Sequence, residues 1–241
     1  MFMKTTSSFQ FSIGVLGYPL VFLLLIWIVF WAELRFDLNL KYYGIYPGKI
    51  EGLIGVICSP FIHGSLTHLY HNSIPIFVLS MALFYFYRPI AWSLIFFGIL
   101  LSGFLTWCIG SSAYHIGASG LIYVLMSFLL FKGLFSKHYR LIALSLVVVF
   151  LYGGMIWYIF PVKEKMSWEG HLSGFLVGLF FAFFFKSSIA KPKKYDWEEP
   201  DFDASNDPFL QQFDADGNFI EDSKLEQNSK SSINYSFEEE E

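Results

Sequence analysis

The sequence predicts an all-helical membrane protein, a bundle of six transmembrane helices followed by a disordered, acidic C-terminal tail. Of the 241 residues, 55% are hydrophobic and only 15% are charged, whereas about a quarter of the residues of a soluble domain are charged. The charges are also segregated along the chain. Residues 1–194 contain fourteen Lys and Arg against five Asp and Glu, and residues 195–241 contain two against fifteen. This separation predicts two regions in different solvents.

Six segments are apolar enough and long enough to be transmembrane helices. A bilayer core of about 30 Å requires about 20 helical residues, because backbone polar groups cannot remain unpaired in lipid. The first apolar run is longer than a signal-peptide core, so we expect it to remain as a membrane anchor. The long connection at 33–65 mixes aromatic and charged residues, which is typical of a segment in the membrane interface. We place the spans at 13–32, 66–87, 90–109, 119–135, 140–160 and 169–186.

We divide the chain into a six-span membrane domain at 1–189 and an acidic tail at 190–241. High net charge with few apolar residues is typical of disorder. We therefore expect the tail to be a solvated cytoplasmic extension or, alternatively, a partner-binding segment. The letters DADGN at 214–218 resemble a calcium loop. The glutamate that such a loop needs six residues after Gly217 is Ser223, so we expect no metal site there.

Lysine and arginine indicate the orientation of the bundle. Cytoplasmic connections carry an excess of these residues. With a cytoplasmic N-terminus, nine basic residues lie on the inner side and five on the outer side. We therefore expect a multi-pass protein of a bacterial inner membrane with both termini in the cytoplasm. The nine inner residues are Lys4, Arg88, Lys132, Lys137, Arg140, Lys186, Lys191, Lys193 and Lys194.

This topology brings polar residues from three spans to one depth. Spans two, four and six all run from outside to inside, so their first turns lie at a similar level near the outer surface. Polar groups inside a membrane are costly and usually face a protein interior or a water-filled cavity, which indicates a functional site. The residues at these three starts are His63, His68, His71 and Asn72, then Ser119, then His171.

Ser119 and His171 are residue types that together catalyse acyl transfer. A serine hydroxyl becomes a good nucleophile when a base removes its proton, and a histidine at the same depth is such a base. No carboxylate inside the spans is placed to orient His171, because Glu169 is two residues away and such positions do not share a helix face. The sequence therefore predicts a catalytic dyad rather than a triad. We expect it to need neither a metal nor an organic cofactor.

Three short motifs lie on spans two, four and six. They are HxxxxHxxxN at His63, His68 and Asn72, GxSG at Gly117-Ala118-Ser119-Gly120, and His171 with Gly174 three residues later. Each motif is weak alone, but their order on these spans makes the combination specific. With these motifs, the chain resembles the rhomboid intramembrane serine proteases over residues 10–188. The first long loop departs from the family, because it reads AELRF at 32–36 and lacks the common Trp-Arg pair.

The resemblance implies a role for the polar residues. Ser119 is the expected nucleophile, and His171 is the expected general base and then general acid. His68, Asn72 and the backbone N–H of Ser119 are the expected oxyanion hole. Ser119 begins a helix, so its N–H is an unpaired donor at the positive end of the helix dipole. His68 and Asn72 are four residues apart and share a helix face.

Three further residues have supporting roles in this reading. The resemblance implies that His63 supports the oxyanion hole from the loop and that Tyr123 stacks against the His171 ring. Tyr123 is one turn beyond Ser119, where an aromatic ring can hold an imidazole. Gly117 belongs to the same binding site as part of the GxSG motif. A stripe of glycines on the sixth span, which permits close helix contact, consists of Gly170, Gly174 and Gly178.

The resemblance implies an endopeptidase that cleaves transmembrane segments of other membrane proteins. Its expected partners are such substrates and the lipid bilayer, and we expect no nucleic acid partner. One alternative is a catalytically inactive relative that keeps the fold in order to bind client proteins. A second alternative is a six-span transporter, because buried histidines can relay protons. The transporter is disfavoured, since the polar residues stop near the outer surface.

Overall fold

The computed structural model describes residues 11–136, 138–162, 166–185, 195, 197, 200–214 and 216–220. The chain divides into two compact units, Met1–Lys191 and Pro192–Glu241. In the described part of the first unit the secondary structure is helical, and β-pairing is limited to an isolated bridge between Ile45 and His115. The all-helical class predicted from composition is therefore confirmed for this part of the chain.

Seven α-helices make up the described part of the first unit. A 3₁₀-helix at Gly153–Ile159 continues α6, and three short 3₁₀-helices flank α2 in the first long loop, at Leu40–Tyr43, Ile50–Ile54 and Ser59–Phe61. The α-helices are α1 (Ile13–Arg35), α2 (Gly55–Cys58), α3 (Leu66–Phe86), α4 (Arg88–Ile109), α5 (Ser119–Phe135), α6 (Tyr139–Tyr152) and α7 (Trp168–Phe184).

Four of these segments have the length and composition of membrane spans. They are α1, α3, α4 and the continuous helix Tyr139–Ile159, with mean hydropathies of 2.6, 1.3, 1.9 and 2.2. The helices α5 and α7 are apolar but have only 17 residues each, which corresponds to about 25 Å.

Two span boundaries differ from the prediction for local reasons. Arg88 and Pro89, predicted as a connection, form the first turn of α4, because proline is well tolerated at a helix start. The predicted fifth span is α-helical only to Tyr152 and continues as a 3₁₀-helix. The paired glycines Gly153 and Gly154 stand at this transition, where the weak α-helical preference of glycine favours a change of geometry.

The helix α5 lies at the centre of the bundle. Its nine consecutive residues from Leu121 to Leu129 are buried, as expected of a helix that is apolar on all sides. Its backbone contacts α7 closely, because a Cβ at Gly174 or Gly178 would overlap the carbonyl oxygen of Gly120 or Val124, respectively. The far ends of the two helices are joined by Lys132, whose Nζ donates to the carbonyl oxygens of Ala182 and Phe185 at the C-terminus of α7.

The second unit is described mainly at 200–214 and 216–220. It contains 3₁₀-helices at Ala204–Asn206 and Leu210–Gln212 and an isolated bridge between Phe213 and Phe219. Aspartates cap its turns, and hydrogen bonds from Asn218 hold the pKa of Asp214 below its ordinary value. Disorder of the acidic tail stays a prediction, and Ser223 together with the terminal glutamates lies outside the described residues.

Candidate active site

The loop before α5 has a backbone conformation that requires glycine. Gly117 has φ +108°, a region that side chains with a Cβ rarely adopt. A Cβ there would also lie only 2.6 Å from Nε2 of His68. The N–H of Gly117 donates to the carbonyl oxygen of Ser59 at 2.8 Å. The loop is therefore held from one side by the first long loop and pressed against His68 on the other.

Ser119 is the first residue of α5. The α-helical hydrogen bond at the start of α5 runs from the N–H of Ile122 to the carbonyl oxygen of Ala118, at 3.0 Å. The N–H groups at the start of an α-helix have no intrahelical acceptor and lie at the positive end of its dipole. The backbone N–H of Ser119 is therefore available to a ligand, as an oxyanion requires.

The hydroxyl of Ser119 contacts the imidazole of His171, which begins the second turn of α7. The distance from Ser119 Oγ to His171 Nε2 is 3.1 Å. The other ring nitrogen, Nδ1, lies 2.9 Å from the carbonyl oxygen of Tyr158. A carbonyl oxygen only accepts, so Nδ1 carries the proton and Nε2 presents its lone pair to the serine O–H. This is the arrangement in which a histidine acts as general base toward a serine.

Tyr123 and the 3₁₀-helix Gly153–Ile159 hold the His171 ring. The rings of Tyr123 and His171 stack with centroids 4.4 Å apart and planes 15° apart. The phenol O–H donates to the carbonyl oxygen of Met155 at 2.7 Å. Met155 and Tyr158 both belong to this 3₁₀-helix, so one short segment fixes the imidazole directly and through the tyrosine.

The partner of His171 Nδ1 was not predicted from the sequence. The acceptor is the backbone carbonyl of Tyr158, and every residue has such a group, so no side-chain motif marks it. The nearby carboxylate of Glu169 faces elsewhere, since its Oε1 accepts from the N–H of Ser111 at 3.0 Å. The His171 ring is thus oriented by a backbone carbonyl, in the position that an aspartate occupies in a triad.

His63, His68 and Asn72 lie together beside Gly117. Asn72 is 4% exposed, and its Nδ2 donates to the carbonyl oxygen of His68 at 2.9 Å. The rings of His63 and His68 meet edge to face with centroids 5.1 Å apart. Neither ring nitrogen of His63 has a hydrogen-bond partner among the described residues. Burial, with His68 beside it, lowers the pKa of His63 to about 4, so this ring is neutral near pH 7.

A cavity of about 30 Å³, lined by both apolar and polar side chains, adjoins Ser119. A water molecule needs about 10–15 Å³ of such space and two to four polar partners. The cavity therefore has room for about two waters. Among the described residues, no three His, Cys, Asp or Glu side chains are grouped as metal ligands. The cavity is lined by, among others, Ser59, Ser102, Thr106, His115, Ser119 and Ser167.

Comparison with known proteins identifies relatives of this chain. Residues 51–188, more than half of its length, match the family model of the Rhomboid domain. Uncharacterized proteins of Mycobacterium bovis and Mycobacterium tuberculosis are each 37% identical to it over 175 residues, which is 66% of this chain and 68% of the relative. An uncharacterized protein of Mycobacterium leprae is 31% identical over 166 residues, 62% of this chain and 63% of the relative. Together with its long apolar helices, these matches establish that the chain is an integral membrane protein of the rhomboid family.

Proposed function

We propose that this protein is an intramembrane serine endopeptidase that hydrolyses peptide bonds in transmembrane segments of other membrane proteins. The contact between Ser119 Oγ and His171 Nε2, at 3.1 Å, carries the proposal. It occurs in a family of intramembrane proteases and at a helix start with a free N–H. The mycobacterial relatives support membership of the family, and as uncharacterized proteins they assign no activity.

The chemistry follows from the site. Ser119 Oγ attacks the scissile carbonyl carbon while His171 Nε2 takes the hydroxyl proton, which forms a tetrahedral intermediate. Its oxyanion accepts hydrogen bonds from the Ser119 N–H and the side chains of His68 and Asn72. His171 then gives its proton to the departing amine, and the C–N bond breaks. Water attacks the resulting acyl ester with His171 again as base, which releases the acid and regenerates Ser119.

The environment of His171 suits a dyad without a carboxylate. When the imidazole takes up a proton, it becomes a cation that needs stabilisation in a poorly hydrated site. The Tyr158 carbonyl accepts the Nδ1–H of that cation, and the stacked Tyr123 ring interacts favourably with it through its π face. The Tyr158 carbonyl also keeps the neutral ring in the tautomer that leaves Nε2 free, and the stacked Tyr123 ring holds its orientation.

We propose six membrane spans within residues 1–189, with α5 and α7 as the two shorter ones and both termini in the cytoplasm. Among the described residues, the four long apolar segments support this count together with α5 and α7, the two longest of the three shorter apolar helices; the third, Ile50–Phe61, lies in the first long loop. Because α5 and α7 are too short for a full span, their first residues lie inside the outer membrane surface, and water can reach Ser119 from the outer side. The acidic tail at 190–241 is a cytoplasmic extension of this domain. A substrate enters the site laterally from the bilayer. A substrate helix must unwind to expose its scissile carbonyl.

The test uses the purified full-length protein in liposomes with a reporter that contains one transmembrane segment. We expect cleavage within or next to that segment, with the products identified by mass spectrometry. We also expect a fluorophosphonate probe to label Ser119, as located in the digested protein. A protein that binds the reporter but neither cleaves it nor reacts with the probe would instead be an inactive, client-binding relative.

Replacing Asn72 with alanine should remove one oxyanion donor. We expect kcat to fall by about 10²–10³-fold with little change in KM, because the lost hydrogen bond forms only as negative charge develops. The measurement is steady-state cleavage of the reporter in liposomes. Asn39→Ala is the matched control, since Asn39 is exposed and its side chain caps no helix. Equal activity of Asn72→Ala and wild type would remove Asn72 from the oxyanion hole.

Two substitutions at Tyr123 separate its ring from its hydroxyl. Tyr123→Phe keeps the stack on His171 and loses only the hydrogen bond to Met155. Tyr123→Ala loses both and leaves a void in a buried position. We expect kcat to fall less than about tenfold for phenylalanine and about 10²-fold for alanine, since misplacement of a reacting group is costly. Equal losses for the two variants would contradict a role for ring stacking.

A further inference from the structure

A second serine–histidine contact joins the loop before α5 to the start of α7. Nδ1 of His115 is 2.5 Å from Oγ of Ser167. His115 precedes Ser119 by four residues, and Ser167 precedes His171 by four residues. The loop that enters α5 and the start of α7 therefore meet at two successive levels. In the second contact the histidine, His115, precedes α5, whereas in the first contact the histidine, His171, lies on α7.

The proton positions at this second contact can be assigned. Nε2 of His115 lies 3.1 Å from the carbonyl oxygen of Ser111. A carbonyl oxygen accepts only, so Nε2 carries the proton, and Nδ1 accepts from the hydroxyl of Ser167. Ser111 is bound a second time, because its N–H donates to Glu169 on α7. His115 and Glu169 are both buried, at 6% and 4% exposure.

The backbone of the same loop is held by the first long loop. His115 exchanges two backbone hydrogen bonds with Ile45, at 2.8 and 2.9 Å, and Gly117 donates to Ser59. The backbone is therefore bound to one segment, while the His115 side chain is bound to another. Movement of α7 relative to the loop is opposed at Ser167 and Glu169.

Two contacts between α7 and the α5 side lie on either side of the pair Ser119–His171. On one side of that pair, Gly174 touches the backbone of Gly120. On the other side, Ser167 binds His115. A helix pair held at one point can still pivot about it, whereas two points on either side of a contact fix its distance. A shift of about 1 Å between reacting groups can lower a rate by about 10²-fold.

We infer that His115 and Ser167 are positioning residues, which hold the start of α7 against the loop before α5 and so set the distance between Ser119 and His171. This inference rests on the proposed protease function. Neither residue touches the substrate in this role. In this role the Ser167 hydroxyl binds the two segments together as a hydrogen-bond donor to His115 and does not act as a nucleophile.

The experiment compares Ser167→Ala, Ser167→Thr, His115→Phe and the double variant Ser167→Ala/His115→Phe in full-length protein in liposomes. We expect Ser167→Ala and His115→Phe to lower kcat by about 10–100-fold with KM changed less than about twofold. Ser167→Thr keeps the hydroxyl and should recover most of the activity. The double variant should be no slower than the slower single variant, because both substitutions break one contact.

Ser173→Ala is the matched control on the same helix. The Ser173 hydroxyl is fully buried and has no hydrogen-bond partner among the described residues, so its loss should leave kcat and the melting temperature unchanged. A merely structural role for Ser167 would lower the melting temperature without the selective loss of kcat. That result would overturn the inference.

The fluorophosphonate probe separates failure of the inference from failure of the proposed function. If Ser119 is labelled at the same rate in Ser167→Ala, in His115→Phe and in the wild type, the positioning role alone is overturned. Labelling at Ser167 would overturn it in favour of a second nucleophile. Wild-type protein that is not labelled at Ser119 would overturn the proposed function, and the inference with it. Labelling of Ser119 that slows in both variants and recovers in Ser167→Thr supports both.

Discussion

The Ser119→Ala variant should lose all measurable cleavage of a membrane-tethered reporter. In serine hydrolases, removal of the nucleophile lowers kcat by about 10⁴-fold or more, because the remaining groups only bind and polarise the substrate. The fold should be unaffected, since alanine is a good helix former and only one hydroxyl is removed from the start of α5. The measurement pairs product formation in liposomes with the melting temperature of the purified variant.

The controls for Ser119→Ala come from the same site and from its neighbourhood. His171→Ala should lose cleavage and probe labelling to a similar extent, since the pair acts as a unit. Ser173→Ala should retain wild-type activity, because its buried hydroxyl has no partner among the described residues. Cleavage that persists in purified Ser119→Ala would falsify the protease mechanism. A transporter, the alternative function, would keep its activity after this small substitution.

Replacement of Gly174 by alanine should have the second-largest effect, on both activity and stability. The added methyl group would overlap the carbonyl oxygen of Gly120 and lie 2.9 Å from Cβ of Tyr123. Backbone atoms cannot rotate away, so α5 and α7 must separate. Overpacking of this kind costs about 1–3 kcal/mol in the free energy of unfolding.

The same separation should reduce catalysis, since the overlap lies next to both reacting residues. Gly120 follows Ser119, and Gly174 is one turn beyond His171. We expect kcat to fall by about 10²-fold or more. Gly17→Ala is the control, because a Cβ there meets its nearest side-chain atom at 4.0 Å and alanine favours a helix over glycine. Wild-type activity in Gly174→Ala would show that the two helices need no close contact.

The helices were predictable because their causes are local. Long apolar runs must form helices in lipid, and the predicted start of span four at residue 119 coincides with the start of α5. The end of α6 was less predictable. The paired glycines Gly153 and Gly154 permit either helical geometry, and the 3₁₀ form occurs where Met155 and Tyr158 present their carbonyls to Tyr123 and His171.

The candidate site was predictable in its residues but not in its supports. Ser119 and His171 stand out in the sequence because polar side chains are rare in apolar spans. The stretch HIGASG at 115–120 begins with His115, for which the sequence alone suggests no function, because its partner Ser167 is 52 positions away. The Tyr158 carbonyl has no sequence signal of any kind, since a backbone carbonyl is present at every residue.

The sequence by itself determined the membrane class, the family and the residue types available for chemistry, because hydropathy and motif spacing are properties of the chain. Only the tertiary structure decided which of those residues meet. The contact of α5 with α7 at Gly174 brings Ser119 within 3.1 Å of His171, and the 3₁₀-helix before α7 orients the imidazole. Distances between residues far apart in the chain depend on how helices pack, and packing is decided by all of the contacting side chains together.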